Sequence, residues 1–346
     1  MTYRIALLPG DGVGPEVVSE ARRCVDELDL AVAWSDLDWG SDHWLEHGVM
    51  MPADAVEQLR TFDAVLLGAV GRPDVPDHVT LWGLLLPIRQ RLDLWANVRP
   101  VRLLEGVPCA LAGRSPGDVD MLFVRENSEG EYSGVGGRVH QGHASEVGIE
   151  TAVFTRSGIE RVVEHAFALA EGRRGLVTSA TKSNASRYGY VLWDEVAEEV
   201  AASHPGVRYE RVLVDALAAR MVLRPDSLDV VVASNLFGDI LTDLGAALQG
   251  GMGMAASANL CPGGDVPALF EPVHGSAPDI AGQGVANPCG AVWSAVLMLD
   301  HLGEQAASAR LLAALEAVCR EGPRTRDLGG SAGTAEVGDA IRAHIA

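Results

Sequence analysis

The pattern that most restricts the fold is a series of short apolar runs, each closed by a turn and separated from the next by stretches of helical spacing. The stretch "YRIALLPGDGVGPEVVSEARRCVDEL" passes from an apolar strand through a glycine-rich turn into a helix, where Val17, Val18, Ala21 and Val25 recur near helical spacing. Similar runs follow at "FDAVLLGAVG", "VDMLFVREN", "GLVTSATK" and "LDVVVASNLFGD". Alternation of such strands with helices predicts the α/β class and a parallel or mixed sheet. One stretch departs from the pattern: "EGEYSGVGGRVHQGHASEVGIETAVFTR" has several glycines followed by alternating β-type residues. It predicts a protruding hairpin, a form that often serves dimers. With 346 residues the chain is long enough for two domains. No linker of low complexity separates them, so a second domain would be joined by the chain crossing over.

Charge narrows the partners. The formal net charge is -20, which argues against nucleic acid and against an acidic membrane surface. An anionic small substrate would need a local cluster of arginines. The five cysteines show no metal-binding spacing, and a scattered odd set suits a reducing compartment, so the cytoplasm is expected. The N-terminus reads as a strand and turn and not as a signal peptide. No apolar run approaches the roughly 18 residues of a membrane span.

Several residues stand out as candidates for chemistry. "GDGVG" at residues 10 to 14 sits between a strand and a helix but is not GxGxxG, and no acidic residue ends a clear second strand where a Rossmann fingerprint needs one. A tight turn near a ligand is the milder reading. "SNLFGDILTDLG" puts Asp239 and Asp243 four residues apart, on one face of a predicted helix. Their repulsion is tolerable on an exposed face. Among Leu236, Phe237, Ile240, Leu241 and Leu244, however, the pair calls for a cation, and hard divalent metals take such oxygen ligands. Asp215, ending the run "RVLVD", offers a third carboxylate. Arg89, Arg99 and Arg125 lie close to apolar segments, where an arginine is either a structural ion pair or a fork for a substrate carboxylate. Lysine and arginine together number 27, yet Lys182 is the only lysine. An amine can give up its proton where a guanidinium cannot, which marks Lys182 as a candidate base.

Six motifs, in order along the chain, carry a resemblance. "PGDGVGPEV", "NVRPVR", "VRENSEGEYSG", "SATKSN", "ASNLFGDILTDLG" and "FEPVHGSAPDIAGQGVANP" together resemble the metal-dependent β-decarboxylating 2-hydroxyacid dehydrogenases. That family includes isocitrate, 3-isopropylmalate and tartrate/D-malate dehydrogenases; "VPDHVTLWGLLLPIR", "TKSN" and "GEYSGVGGR" look most like the tartrate/D-malate branch. The resemblance implies an α/β fold of two domains around a large mixed sheet, unlike the standard Rossmann arrangement. The first domain would be discontinuous, residues 1–96 plus 250–346, and would bind the cofactor. The second, 97–249, would carry substrate, metal and dimerisation functions, with an arm at about 130–155 pairing across a homodimer.

The family's functional residues carry over position by position. His274, Gly275, Ser276, Ala277, Pro278, Asp279, Ile280 and Asn287 would surround the adenosine half of the dinucleotide. A carboxylate at Asp279 would accept from ribose hydroxyls and repel a 2′-phosphate, while Ile280 offers no cation, so NAD is expected. Asp239 and Asp243 of one subunit and Asp215 of the other would hold Mg²⁺ or Mn²⁺; the need for a monovalent cation as well is left open by the sequence. Lys182 from the second subunit would be the general base and Tyr132 the proton donor after decarboxylation. Arg89, Arg99 and Arg125 would fix the substrate carboxylates. Gly83 stands where isocitrate enzymes carry a carboxylate-binding serine, which favours a small C4 acid, D-malate or tartrate. Leu85 matches an apolar residue that receives the isopropyl group in 3-isopropylmalate enzymes, whereas Trp82 would crowd that pocket. Ala185, Arg187, Tyr188 and Tyr190 depart from the D-malate pattern and would suit another 2-hydroxy diacid in a specialised pathway. A binding protein without turnover is the alternative of another class; retention of Lys182, Tyr132 and all three aspartates speaks against it.

Overall fold

The structure is a computed structural model, and it describes residues 2–345. Its strands, in chain order, are β1 (Tyr3–Gly10), β2 (Val32–Asp36), β3 (Ala64–Ala69), β4 (Ala96–Arg102), β5 (Asp120–Glu126), β6 (Gly130–Val139), β7 (Val147–Val153), β8 (Leu176–Thr181), β9 (Arg208–Leu213), β10 (Val230–Ala233), β11 (Ala256–Leu260) and β12 (Ala268–Pro272). Ten of them are members of a large mixed sheet, and β6 and β7 form a separate ribbon. Two compact units divide the chain. The first holds the chain up to Leu94, the segment Arg99–Val119 and everything from Gly245 onward; the second holds Trp95–Val98 and Asp120–Leu244. Arg99–Val119 falls in the first unit for a local reason. Its ends are tied by Leu103 N to Val119 O at 3.0 Å, and it is held by Arg102 N to Gln249 Oε1 at 2.8 Å and Cys109 Sγ to Leu248 O at 3.3 Å.

In the first unit the strand order is β2-β1-β3-β12-β11, parallel except for the antiparallel pair β11 and β12. All six residues of β3 are buried, as a parallel strand with both faces covered requires. The helix Gly14–Asp26 buries Val17, Val18, Ala21 and Val25, the stripe its spacing predicts. The helix Cys289–His301 is apolar nearly all round and is correspondingly buried.

The turn between β1 and the first helix is fixed by its close approach to another loop. Gly12 has φ +60°, and a Cβ there would lie 1.9 Å from the carbonyl oxygen of Ser276. The next residue, Val13, donates its backbone N–H to that same oxygen at 2.8 Å. Gly12 and Val13 therefore stitch the N-terminal turn to the loop that begins at His274.

In the second unit β5, β10, β8 and β9 run parallel in that order, and β8 and β10 are buried along their whole length. Trp193, fully buried, donates Nε1–H to Ser179 Oγ at 2.9 Å and so pins the helix Gly189–Ser203 to β8. The expected hairpin is the β6–β7 ribbon, antiparallel and with Val135, Val139, Val147 and Ile149 all exposed. All five cysteines are free thiols. Among the described residues no helix is long and apolar enough to cross a membrane.

Gly12→Ala should cost more than the about 1–2 kcal/mol of left-handed alanine alone, because the Ser276 carbonyl must also move. Urea unfolding with an unchanged m-value measures this loss.

Candidate active site

The second unit assembles a compact ionic cluster on the helix Asn235–Leu248. Arg125, at the end of β5, is only 2% exposed, so its charge must be paired where it lies. Its Nη1 donates to Asp239 Oδ1 at 2.6 Å, its Nη2 to Asn235 Oδ1 at 2.6 Å, and its Nε to the Asn235 carbonyl at 2.8 Å. Gly238 makes this possible. A Cβ at that position would lie 2.5 Å from Arg125 Cγ, so the side chain passes beneath the helix only because the residue has none. Tyr132, on β6, places its ring 5.8 Å from the same guanidinium and its hydroxyl 3.4 Å from Asp239 Oδ2. Burial, with the Asp239 charge behind it, raises the Tyr132 pKa, so the phenol stays protonated at neutral pH. Asp243 follows one turn after Asp239, on an exposed position of the helix.

Lys182 and Asp215 form a second pair. Lys182 follows β8, Asp215 lies in the first turn of the helix Val214–Leu223, and Nζ donates to Oδ1 at 2.6 Å. That hydrogen bond holds the Asp215 carboxyl below its ordinary range. Asp215 is not gathered with Asp239 and Asp243: among the described residues no three His, Cys, Asp or Glu side chains are placed to hold a metal ion. The loop beyond Lys182 is anchored by Tyr190, whose ring stacks on Phe237 at 4.7 Å and whose hydroxyl donates to Glu131 and lies 2.6 Å from Ser234 Oγ. Arg187 and Tyr188 are exposed, the guanidinium 5.1 Å from the ring.

In the first unit Arg89 is buried and donates Nη2–H to Glu271 Oε1 at 2.5 Å; Asn259 Nδ2 donates to the same oxygen at 2.9 Å. Arg89 Nε is buried without a partner. Arg99 is likewise buried. Trp82 is 41% exposed, whereas Leu85 is packed in an apolar cluster with Leu84, Ile88, Leu67 and Met50.

The loop after β12 borders a cavity of about 910 Å³. His274, Ala277, Ile280 and Asn287 line it, joined by Val13, Gln283, Arg326 and Asp327. Gly275, Ser276, Pro278 and Asp279 of the expected set do not. Ser276 instead receives Val13, and Asp279 is exposed with its carbonyl accepting from Gln283 Nε2 at 2.7 Å. His274 Nδ1 lies 3.0 Å from the Gly275 carbonyl and donates to it, which leaves Nε2 as an acceptor, buried and without a partner. Burial lowers the His274 pKa, so the ring is neutral and that acceptor is retained. Asn287 is more constrained than expected: Nδ2 donates to Asp327 Oδ2 at 2.9 Å and Oδ1 accepts from Cys289 N at 3.0 Å.

Sequence reasoning missed Asn235, Glu271, Arg326 and Asp327. Asn235 carried a signal, since it precedes Asp239 by one helical turn on the same face. Glu271 carried none, being 182 residues from Arg89.

Comparison with known proteins gives the family. Residues 4–341 match the isocitrate/isopropylmalate dehydrogenase family model. A probable tartrate dehydrogenase/decarboxylase of Agrobacterium vitis is 52% identical over 98% of this chain and 96% of its own length. The decarboxylating D-malate dehydrogenase of Escherichia coli is 50% identical over 98% of both chains. The crystal structure of isocitrate dehydrogenase from Methylococcus capsulatus superposes with a TM-score of 0.91 at 35% identity, covering 99% of each chain. The chain belongs to the isocitrate/isopropylmalate dehydrogenase family. It is an oxidoreductase of that family, as the resemblance of its motifs implied.

Glu271→Ala strands the buried Arg89 charge. Stability should fall by about 3–5 kcal/mol, the cost of breaking one side of a buried pair, and denaturant unfolding measures it.

Proposed function

We propose that the protein catalyses the NAD-dependent, divalent-metal-dependent oxidative decarboxylation of a small 2-hydroxy diacid, D-malate or tartrate, to a 2-keto acid and CO₂. The reading rests on one arrangement: Asp239 in contact with Arg125 and Tyr132, on a helix whose next turn carries Asp243. Whole-length likeness to enzymes named for tartrate and D-malate supports the substrate class. Two features of the first unit favour a small acid. Gly83 supplies no hydroxyl for a third carboxylate, and Leu85, which would receive an isopropyl group, is packed into the core.

The residues present fit both groups. Asp239 and Asp243 are carboxylate donors of the hard kind Mg²⁺ or Mn²⁺ takes, completed by Asp215 of a second copy in a homodimer. The large cavity with an orphaned acceptor on His274 fits the adenosine half of a dinucleotide. When bound, the metal acidifies the 2-hydroxyl and neutralises charge left by the departing CO₂, and NAD accepts the hydride. Lys182, also from the second copy, takes the hydroxyl proton as hydride leaves carbon 2. Tyr132, kept protonated by its raised pKa, delivers a proton to the carbon that loses CO₂. Arg89 and Arg99 orient the substrate carboxylates, and the unpartnered Nε of Arg89 suits that task. Arg125 holds Asp239 in place as well as presenting charge to substrate.

NADH absorbance, followed with Mn²⁺ and a panel of 2-hydroxy diacids, tests the reading; failure of every diacid to reduce NAD would overturn it. Asp239→Asn should abolish metal-dependent turnover while leaving the fold intact by circular dichroism. Lys182→Arg keeps the charge but removes the base. Hydride transfer should fall by roughly 10² to 10⁴, the worth of a positioned general base, and near-normal turnover would leave Lys182 a mere cation. Because the two lesions fall on different halves of a shared site, mixing the inactive variants should restore part of the activity in heterodimers.

A further inference from the structure

Tyr190 is one of the residues that depart from the D-malate pattern, yet it is only 4% exposed, so its place is inside the second unit and not at a ligand's surface. Its ring stacks on Phe237 at 4.7 Å, with 15° between the planes, and lies 5.1 Å from the ring of Phe154. Burial raises its pKa, so the phenol keeps the proton it donates. That proton goes to Glu131 Oε1 at 2.9 Å, and Ser234 Oγ, 2.6 Å away, donates in return. The other oxygen of Glu131, Oε2, accepts from Leu236 N at 3.2 Å. Leu236 is in the first turn of the helix Asn235–Leu248, where a backbone N–H has no partner within the helix.

Glu131 therefore spans two elements. Among the described residues no lysine or arginine pairs with it, and its two donors are the Tyr190 hydroxyl and the Leu236 N–H. The next residue in the chain is Tyr132, whose hydroxyl lies 3.4 Å from Asp239 Oδ2. A carboxylate without a cation depends on its hydrogen bonds for its direction, and those to a charged acceptor are the strong ones. We propose that Tyr190 is a positioning residue: through Glu131 it holds the Tyr132 phenol against Asp239 and sets the first turn of the helix that bears Asp239 and Asp243. This inference rests on the proposed role of Tyr132 as proton donor and deepens it.

Tyr190→Phe removes the hydroxyl and keeps the stacked ring. With Mn²⁺ and the diacid that wild type turns over, kcat should fall by about tenfold or more, the value of a lost hydrogen bond to a charged group, while the KM for NAD changes by less than about twofold. Glu131→Ala should lower kcat as well, and adding Tyr190→Phe to it should change kcat by less than about twofold, because the link is already cut. A second readout needs no turnover. In the intact protein labelled with 3-fluorotyrosine, the Tyr132 fluorine resonance, assigned by its loss in Tyr132→Phe, should move in both Tyr190→Phe and Glu131→Ala, while those of Tyr3 and Tyr209 stay in place. An unmoved Tyr132 resonance would overturn the proposal, since Tyr190 would then serve packing alone. So would an unchanged kcat, or losses that multiply in the double variant. If wild type reduces NAD with no diacid, the proposed function falls, and the fluorine spectra alone then decide whether Tyr190 positions Tyr132.

Discussion

Burial of one guanidinium governs the second unit. Arg125 sits where water cannot solvate it, and an unpaired charge there would cost several kcal/mol or more, so its neighbours are dictated. Asn235 and Asp239 take up both terminal nitrogens and the Nε, which fixes the start of the helix Asn235–Leu248 against the end of β5. Gly238 is obligatory because the arginine stem occupies the space of its side chain. Tyr132 then has a defined seat, its ring near the guanidinium and its hydroxyl near Asp239. A single desolvated cation thus aligns the Asp239 carboxylate with the Tyr132 phenol of β6, and Asp243 follows one turn further along the helix.

The same logic separates the other cations by task. Arg89 is buried and paired with Glu271, and Arg173 is paired with the buried Asp229, so each is held rigidly at low reorganisation cost. Lys182 and Arg326 are different. Lys182 is only partly buried and is paired with one largely exposed carboxylate, Asp215, and among the described residues Arg326 is paired with none. A cation paired with a single exposed carboxylate is held more loosely than one in a buried pair, and it stays within reach of a ligand's charge.

The candidate site was legible in the sequence to different depths. Asp239 and Asp243 could be read as neighbours because four residues is one helical turn, and that relation survives any tertiary arrangement. The hairpin "EGEYSGVGGRVHQGHASEVGIETAVFTR" was likewise readable, since glycines and alternating β-residues fix a ribbon locally. Leu85 was not, because a leucine in an apolar run reads the same whether it faces a ligand or the core, and only packing against Leu84, Ile88 and Met50 assigns it. The direction of Asp279 was not legible for a related reason. Its neighbours Ala277 and Ile280 line the cavity, but which way a loop side chain turns depends on the loop's own hydrogen bonds.

The sequence by itself determined the α/β alternation, the helix bearing two aspartates, the glycine turn after β1 and the identity of the unique lysine. All of these follow from residue type and spacing within a turn or a strand. Tertiary structure alone decided that Gly12 abuts Ser276, that Glu271 pairs with Arg89, and that Asp327 accepts from Asn287. Those outcomes depend on contacts between segments far apart in the chain, where burial forces each charge to find whichever partner the packing brings near.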